Sequence, residues 1–162
     1  MGNTKIKRKF LAHFIDASTT PDTPKYVRLG SGIEEMSIEM GANVVKTNDI
    51  TGTTETYIDK YEKSQSVEPY FAVVGDDLFV RLQAIVDEDK TLDELNTSVV
   101  DVKMWEELMD GSYPAVKEEA VIEVVSWGGS TEGYQIPFNI HRTGVKTKGT
   151  FNPTTKTFTA NA

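Results

Sequence analysis

Apolar residues recur along this chain at two spacings, and the spacing changes from one stretch to the next. Over residues 75–89 they fall at Leu78, Phe79, Leu82, Ile85 and Val86, which marks out one face of a 3.6-residue helix. Gly75 and Asp76 are suitable N-cap residues, and Asp76 and Asp77 suit the positive end of a helix dipole. A lone helix cannot cover its own apolar stripe, so these five side chains are expected to pack it onto a β core.

Almost everywhere else the period is two, the spacing of a strand with one buried face. Residues 5–15 predict a first strand, with Ile6, Phe10, Ala12 and Phe14 on one face, and residues 26–29 a short second one. In residues 33–40, Met36, Ile38 and Met40 alternate with Glu35, Ser37 and Glu39. A strand with an apolar face and an acidic face is expected there. Residues 98–105 alternate through Val100, Val102 and Met104. Residues 119–127 are apolar on nearly both faces and predict a central strand, broken by Gly128, Gly129 and Ser130. Tyr134, Ile136, Phe138 and Ile140 predict another strand, in which Pro137 implies an edge or a bulge. Residues 145–151 and 156–160 predict a last hairpin, turning at Asn152 and Pro153. Many short strands and one helix predict a mainly β fold with one flanking α-helix (α+β), a β-sandwich or partly closed barrel. No repeat or linker divides it, so residues 1–162 are expected to form a single domain.

The polar middle of the chain, residues 41–66, stands apart. Residues 43–50 and 55–61 predict two strands about a turn at residues 51–54, with Ile50, Tyr57, Ile58 and Tyr61 as apolar islands. Such a segment has too little apolar surface to fold alone. It predicts a hairpin that is mobile when free or docks on a partner, with packing on its own barrel as the alternative.

Composition narrows the function classes. The chain has no cysteine, which removes disulfide and thiol chemistry. Its net charge of -8 argues against wrapping nucleic-acid phosphates. The positive charge gathers at Lys5, Lys7, Arg8 and Lys9, either as a solvated strand face or as a docking surface for an acidic partner. No apolar run is long enough to span a bilayer. The first residues make a poor signal peptide, and Ile6 stands where a myristoylation signal needs Ser or Thr. Asn96, Thr97 and Ser98 form a glycosylation sequon that is idle without secretion.

No chemistry-bearing constellation emerges. His13 and His141 each stand without metal-ligand spacing around them. Asp87, Asp89 and Thr91 begin an EF-hand pattern that fails at Leu92, where Gly is needed, and at Ser98, where the bidentate Glu is needed. No phosphate loop and no nucleophile elbow occurs. Catalytic, metal and cofactor sites are therefore not expected, and neither is an enzyme.

The order of parts is informative. Residues 5–16, then Tyr26, Val27, Arg28, Leu29 and Gly30 with Glu34, Glu35 and Met36, resemble the start of siphophage major tail (tail tube) proteins from phages of Gram-positive hosts. Gln65, Ser66, Val67, Glu68, Pro69 and Tyr70, followed by residues 75–79, resemble the approach to that family's helix. The resemblance covers most of the chain as short blocks. It implies a β-sandwich or barrel with a flanking helix, a fold shared with contractile-tail tubes and the type VI secretion tube. It also implies a virion structural protein, made in the bacterial host cytoplasm and self-assembling into stacked hexameric rings. These would form a tail tube around a tape-measure protein, bounded by tail-end proteins, through which DNA passes without specific binding. No membrane is involved. The sequence ends at Ala162, so the additional C-terminal immunoglobulin-like domain of some members is not expected. Within this reading, Glu35, Ser37 and Glu39 are expected to line the lumen. Ile50, Thr51, Gly52, Tyr57, Ile58 and Tyr61 are expected to make inter-ring or inter-subunit contacts. The rival expectation is a soluble β-barrel module that binds a small ligand or peptide.

Overall fold

The computed structural model describes residues 3–18, 23–108 and 110–161. Its strands are β1 (Leu11–Asp16), β2 (Tyr26–Leu29), β3 (Ala42–Asn48), β4 (Thr54–Tyr61) and β5 (Ser64–Val67). The helix α1 (Asp77–Glu88) follows, then β6 (Asn96–Lys103), β7 (Tyr113–Val124), β8 (Gly128–Ser130), β9 (Gly133–Gln135), β10 (Phe138–Asn152) and β11 (Thr157–Ala160). The fold is mainly β with one flanking helix, built on a curled half-barrel sheet.

The main sheet is antiparallel with the order β11-β10-β7-β6-β1-β2. The 15-residue β10 serves two partners along one edge, β5 through residues 138–141 and β11 through residues 149–152. A bulge between Arg142 and Lys146 separates the two halves. The sheet's curl can be read from ring distances. Phe14 on β1 and Phe151 on β10 are three strand spacings apart, about 14 Å on a flat sheet. Their ring centroids are 4.4 Å apart. Tyr26 on β2, one strand further out, still meets Phe151 edge-on at 5.6 Å. With Ala12, Val100, Val102 and Ala115 these rings form one buried cluster.

The opposite face carries Ile15, Val99, Ala120, Ile122, Phe138 and Ile140, and α1 packs against it. Leu78, Leu82 and Ile85 are buried there, with Phe79 and Val86 partly buried against the same cluster. Each fully buried side chain of this kind contributes about 1.5–3 kcal/mol. Asp76 caps the helix by accepting a hydrogen bond from the Leu78 amide at 3.1 Å. Arg81, on the same buried side, ties the helix to the sheet by donating to the carbonyls of Asp16 and Asn96.

Several expected elements differ. Residues 33–40 do not form a strand. Gly32 and Gly41 take positive φ angles of 77° and 57° at the two ends, and only Glu39 finds a ladder partner, Ser64. The alternation survives only in part, with Met36 buried, Ile38 half-buried and Met40 50% exposed. The segment is a strap crossing from β2 to β5. The first strand begins at Leu11, because residues 8–10 coil into a 3-10 turn, leaving Ile6 and Phe10 exposed. The central strand β7 starts at Tyr113 and stops at Val124, so Val125 and Trp127 lie outside it and are exposed. Gly128, Gly129 and Ser130 lie beyond the end of β7 and pair with β9 in a separate two-stranded sheet. Ile136 and Pro137 separate β9 from β10, so Pro137 interrupts no ladder.

Candidate functional site

Among the described residues the hairpin of β3 and β4 pairs with no other strand. Val44 faces Ile58 and Val45 faces Tyr57 across it, so both faces carry apolar side chains. Apart from the half-buried Val45, every residue of the two strands is exposed, including Tyr57, Ile58 and Tyr61. At the tip, Ile50 is 106% exposed. The tip is nonetheless ordered by its own hydrogen bonds. Asp49 accepts from the Thr51 hydroxyl at 2.5 Å, the Thr51 amide at 2.9 Å and the Thr53 amide at 3.1 Å. The bonds from Thr51 and Thr53 hold the Asp49 carboxyl below the usual carboxylate range. Thr51 and Gly52 thus shape the tip, with Gly52 at φ 82°. An isolated two-stranded hairpin is marginal in water, and this one leaves Ile50 fully exposed and Tyr57, Ile58 and Tyr61 about half exposed.

The root of this arm is locked. The Glu62 amide donates to the Gly41 carbonyl at 3.0 Å. A Cβ on Gly41 would lie 2.2 Å from the Glu62 carbonyl oxygen, so glycine is required there both for its φ and for this close approach. Next to it Lys63 turns inward and is buried, its Nζ 2.5 Å from Glu118 Oε2. Glu118, 1% exposed, also accepts from Arg142 at 3.3 Å and from the Gly144 amide at 3.0 Å, inside the β10 bulge. Arg142 forks onto both oxygens of Asp101 at 2.5 and 2.9 Å and onto Gln65. Asp101 in turn is 2.7 Å from His13 Nδ1. His13 Nε2 is 3.0 Å from Arg8. Arg8 also donates to the Met36 carbonyl at 3.0 Å, fastening the strap to the sheet.

Burial alone would raise the Asp101 carboxyl. Hydrogen bonds from Arg142 and His13, with the charges behind them, outweigh that and hold it well below the usual carboxylate range. Burial likewise works against the Arg142 charge, and Asp101 and Glu118 more than restore it. No buried side-chain nitrogen or oxygen among the described residues lacks a partner. Both ring nitrogens of His13 are engaged, Nδ1 with Asp101 and Nε2 with Arg8. His141 is exposed and pairs with Glu123 at 2.7 Å. Among the described residues no group of His, Asp and Glu side chains is placed to hold a metal ion.

Glu35, Ser37 and Glu39 are exposed and lie together, but not on a strand face. With Glu34, Glu68 and Glu132 they line an acidic groove of about 790 Å³ beside Met36 and Phe71, and no basic residue lines it. The strand expected over residues 33–40 does not form, because the strap has one ladder partner rather than a row of them. A second cavity, about 640 Å³, opens by α1 between Tyr26, Arg81, Lys117 and Glu119.

Sequence reading missed Lys63, Gln65, Arg81, Asp101, Glu118 and Arg142. Part of the signal was present, since Asp101 interrupts a run of valines and Arg142 continues the inward period of Phe138 and Ile140.

These features define a β-rich body with a projecting, uncovered hairpin arm. No protein-family model matches the chain, and no curated protein matches it.

Proposed function

We propose that this chain is the repeating subunit of a self-assembling tube, a structural protein rather than a catalyst. The observation that carries this reading is the arm, a hairpin with exposed apolar side chains on both faces that pairs with no other strand among the described residues. Exposed apolar surface of this kind marks an interaction site. A subunit of a ring offers different surfaces to its two neighbours, and head-to-tail contacts close into a ring when the rotation closes.

The sequence resemblance specifies the assembly as hexameric rings stacked into a phage tail tube within the virion, enclosing a tape-measure protein and later passing DNA. The net charge of -8 suits that role. Carboxylates on a wall repel phosphate over about 8–10 Å at physiological salt. The rival, a small-ligand module, would use the cavity by α1, and it leaves the arm without a purpose.

Sedimentation of the full chain and of an arm-less variant tests the proposal. The hydrogen bond from Glu62 to Gly41 is already that of a tight antiparallel turn, so a two-residue turn can replace residues 42–61. The full chain is expected to form rings or tubes as its concentration rises. The arm-less chain is expected to stay monomeric with an unchanged melting temperature. An arm-less chain that assembles like the full one contradicts the proposal.

A further inference from the structure

The basic run near the N-terminus has no part in the arm contacts, and the acidic groove has no counter-charge of its own. Every residue from 3 to 10 is exposed, and residues 3–7 have no regular structure. Arg8 is held by His13 and by the carbonyls of Leu11 and Met36. Among the described residues Lys5 and Lys7 pair with no carboxylate, and neither do Glu34, Glu35, Glu39, Glu68 and Glu132 pair with any cation.

We infer that the groove is the docking surface for residues 3–7 of a second copy of this chain, an inference that rests on the assembly reading above. Three features fit that occupant. The charges are complementary, lysines against glutamates, with no basic side chain in the groove wall. One wall is the open edge of β5, whose other edge pairs with β10. Ser64 uses the open edge for its bridge to Glu39, and alternation directs the Ser66 amide and carbonyl the same way, where no backbone partner among the described residues meets them. An extended segment can add along such an edge. Finally, five extended residues reach about 17 Å, with Lys5 and Lys7 on one side and Ile6, 56% exposed, on the other. Half-buried Phe71 and Pro69 supply apolar surface in the groove for Ile6.

Charge exchange between two chains tests this. One variant carries Lys5→Glu and Lys7→Glu, the second Glu35→Lys and Glu68→Lys. All four positions are exposed, so both variants are expected to keep the wild-type melting temperature. Each alone is expected to associate about tenfold more weakly than wild type at low ionic strength, since attraction becomes repulsion across the contact. An equimolar mixture is expected to recover wild-type association as alternating copies. Wild-type association by both separate variants overturns the inference, and would instead suit a groove that faces solvent or a bore. Recovery only when all four changes share one chain, and not in the mixture, also overturns it, because the segment then fills its own groove. If the wild type itself never associates, the assembly reading falls. If it associates and the reversals change nothing, only this inference falls.

Discussion

Glu118 is the residue at which the arm and the barrel meet. It is 1% exposed and neutralises Lys63 at the arm root and Arg142 on β10. Removing one partner of a buried ion pair leaves the other charge without compensation, so Glu118→Gln is expected to cost about 3–5 kcal/mol in urea unfolding. Asp101 supplies the pH signature. Its carboxyl is held below the usual range in the folded chain, so its contribution is complete above the unfolded carboxylate range and is lost as pH falls below about 4. The stability difference between wild type and Asp101→Asn should therefore be constant from neutral pH down to about 4 and should narrow below it. A gap that widens on acidification contradicts the assignment. Little of this network was legible beforehand. Its members lie on five different segments, and only tertiary pairing shows that each charge has a partner.

At the scale of elements, the arm and the strap show what alternation can and cannot specify. The strap has a period-two pattern, whereas the arm carries adjacent apolar pairs at Val44 and Val45 and at Tyr57 and Ile58. The arm became a hairpin because each strand pairs the other around a tip shaped by Asp49 and Gly52. The strap did not become a strand because no neighbour lies along it beyond one bridge. Periodicity thus reports which side chains can share a face, whereas a ladder partner decides whether a strand forms. The stripe of α1 was legible because its five apolar residues need only one surface, although Arg81 at the same interface was not anticipated. In the proposed assembly the arm is ordered by a neighbour. Its amides should exchange quickly in the isolated subunit and slowly after association. Tyr57→Ser with Ile58→Ser should leave the melting temperature unchanged, as both side chains are about half exposed, and should block association. Slow exchange across β3 and β4 in a verified monomer contradicts this role for the arm.

For the whole molecule, a mainly β fold with one helix could be read from pattern alone, because short strands and a single stripe leave few other arrangements. The curl of the sheet could not, since it depends on Phe14, Tyr26 and Phe151 meeting across strands far apart in sequence. The proposed assembly is a further scale again. An arm with two apolar faces, a basic segment at residues 3–7 and an acidic groove would give a ring subunit distinct surfaces, the requirement for head-to-tail closure. The most direct test is electron microscopy of the concentrated full-length chain. The account predicts six-fold rings and stacked tubes with the arm ordered between subunits. Monodisperse single subunits at every concentration and ionic strength would contradict it.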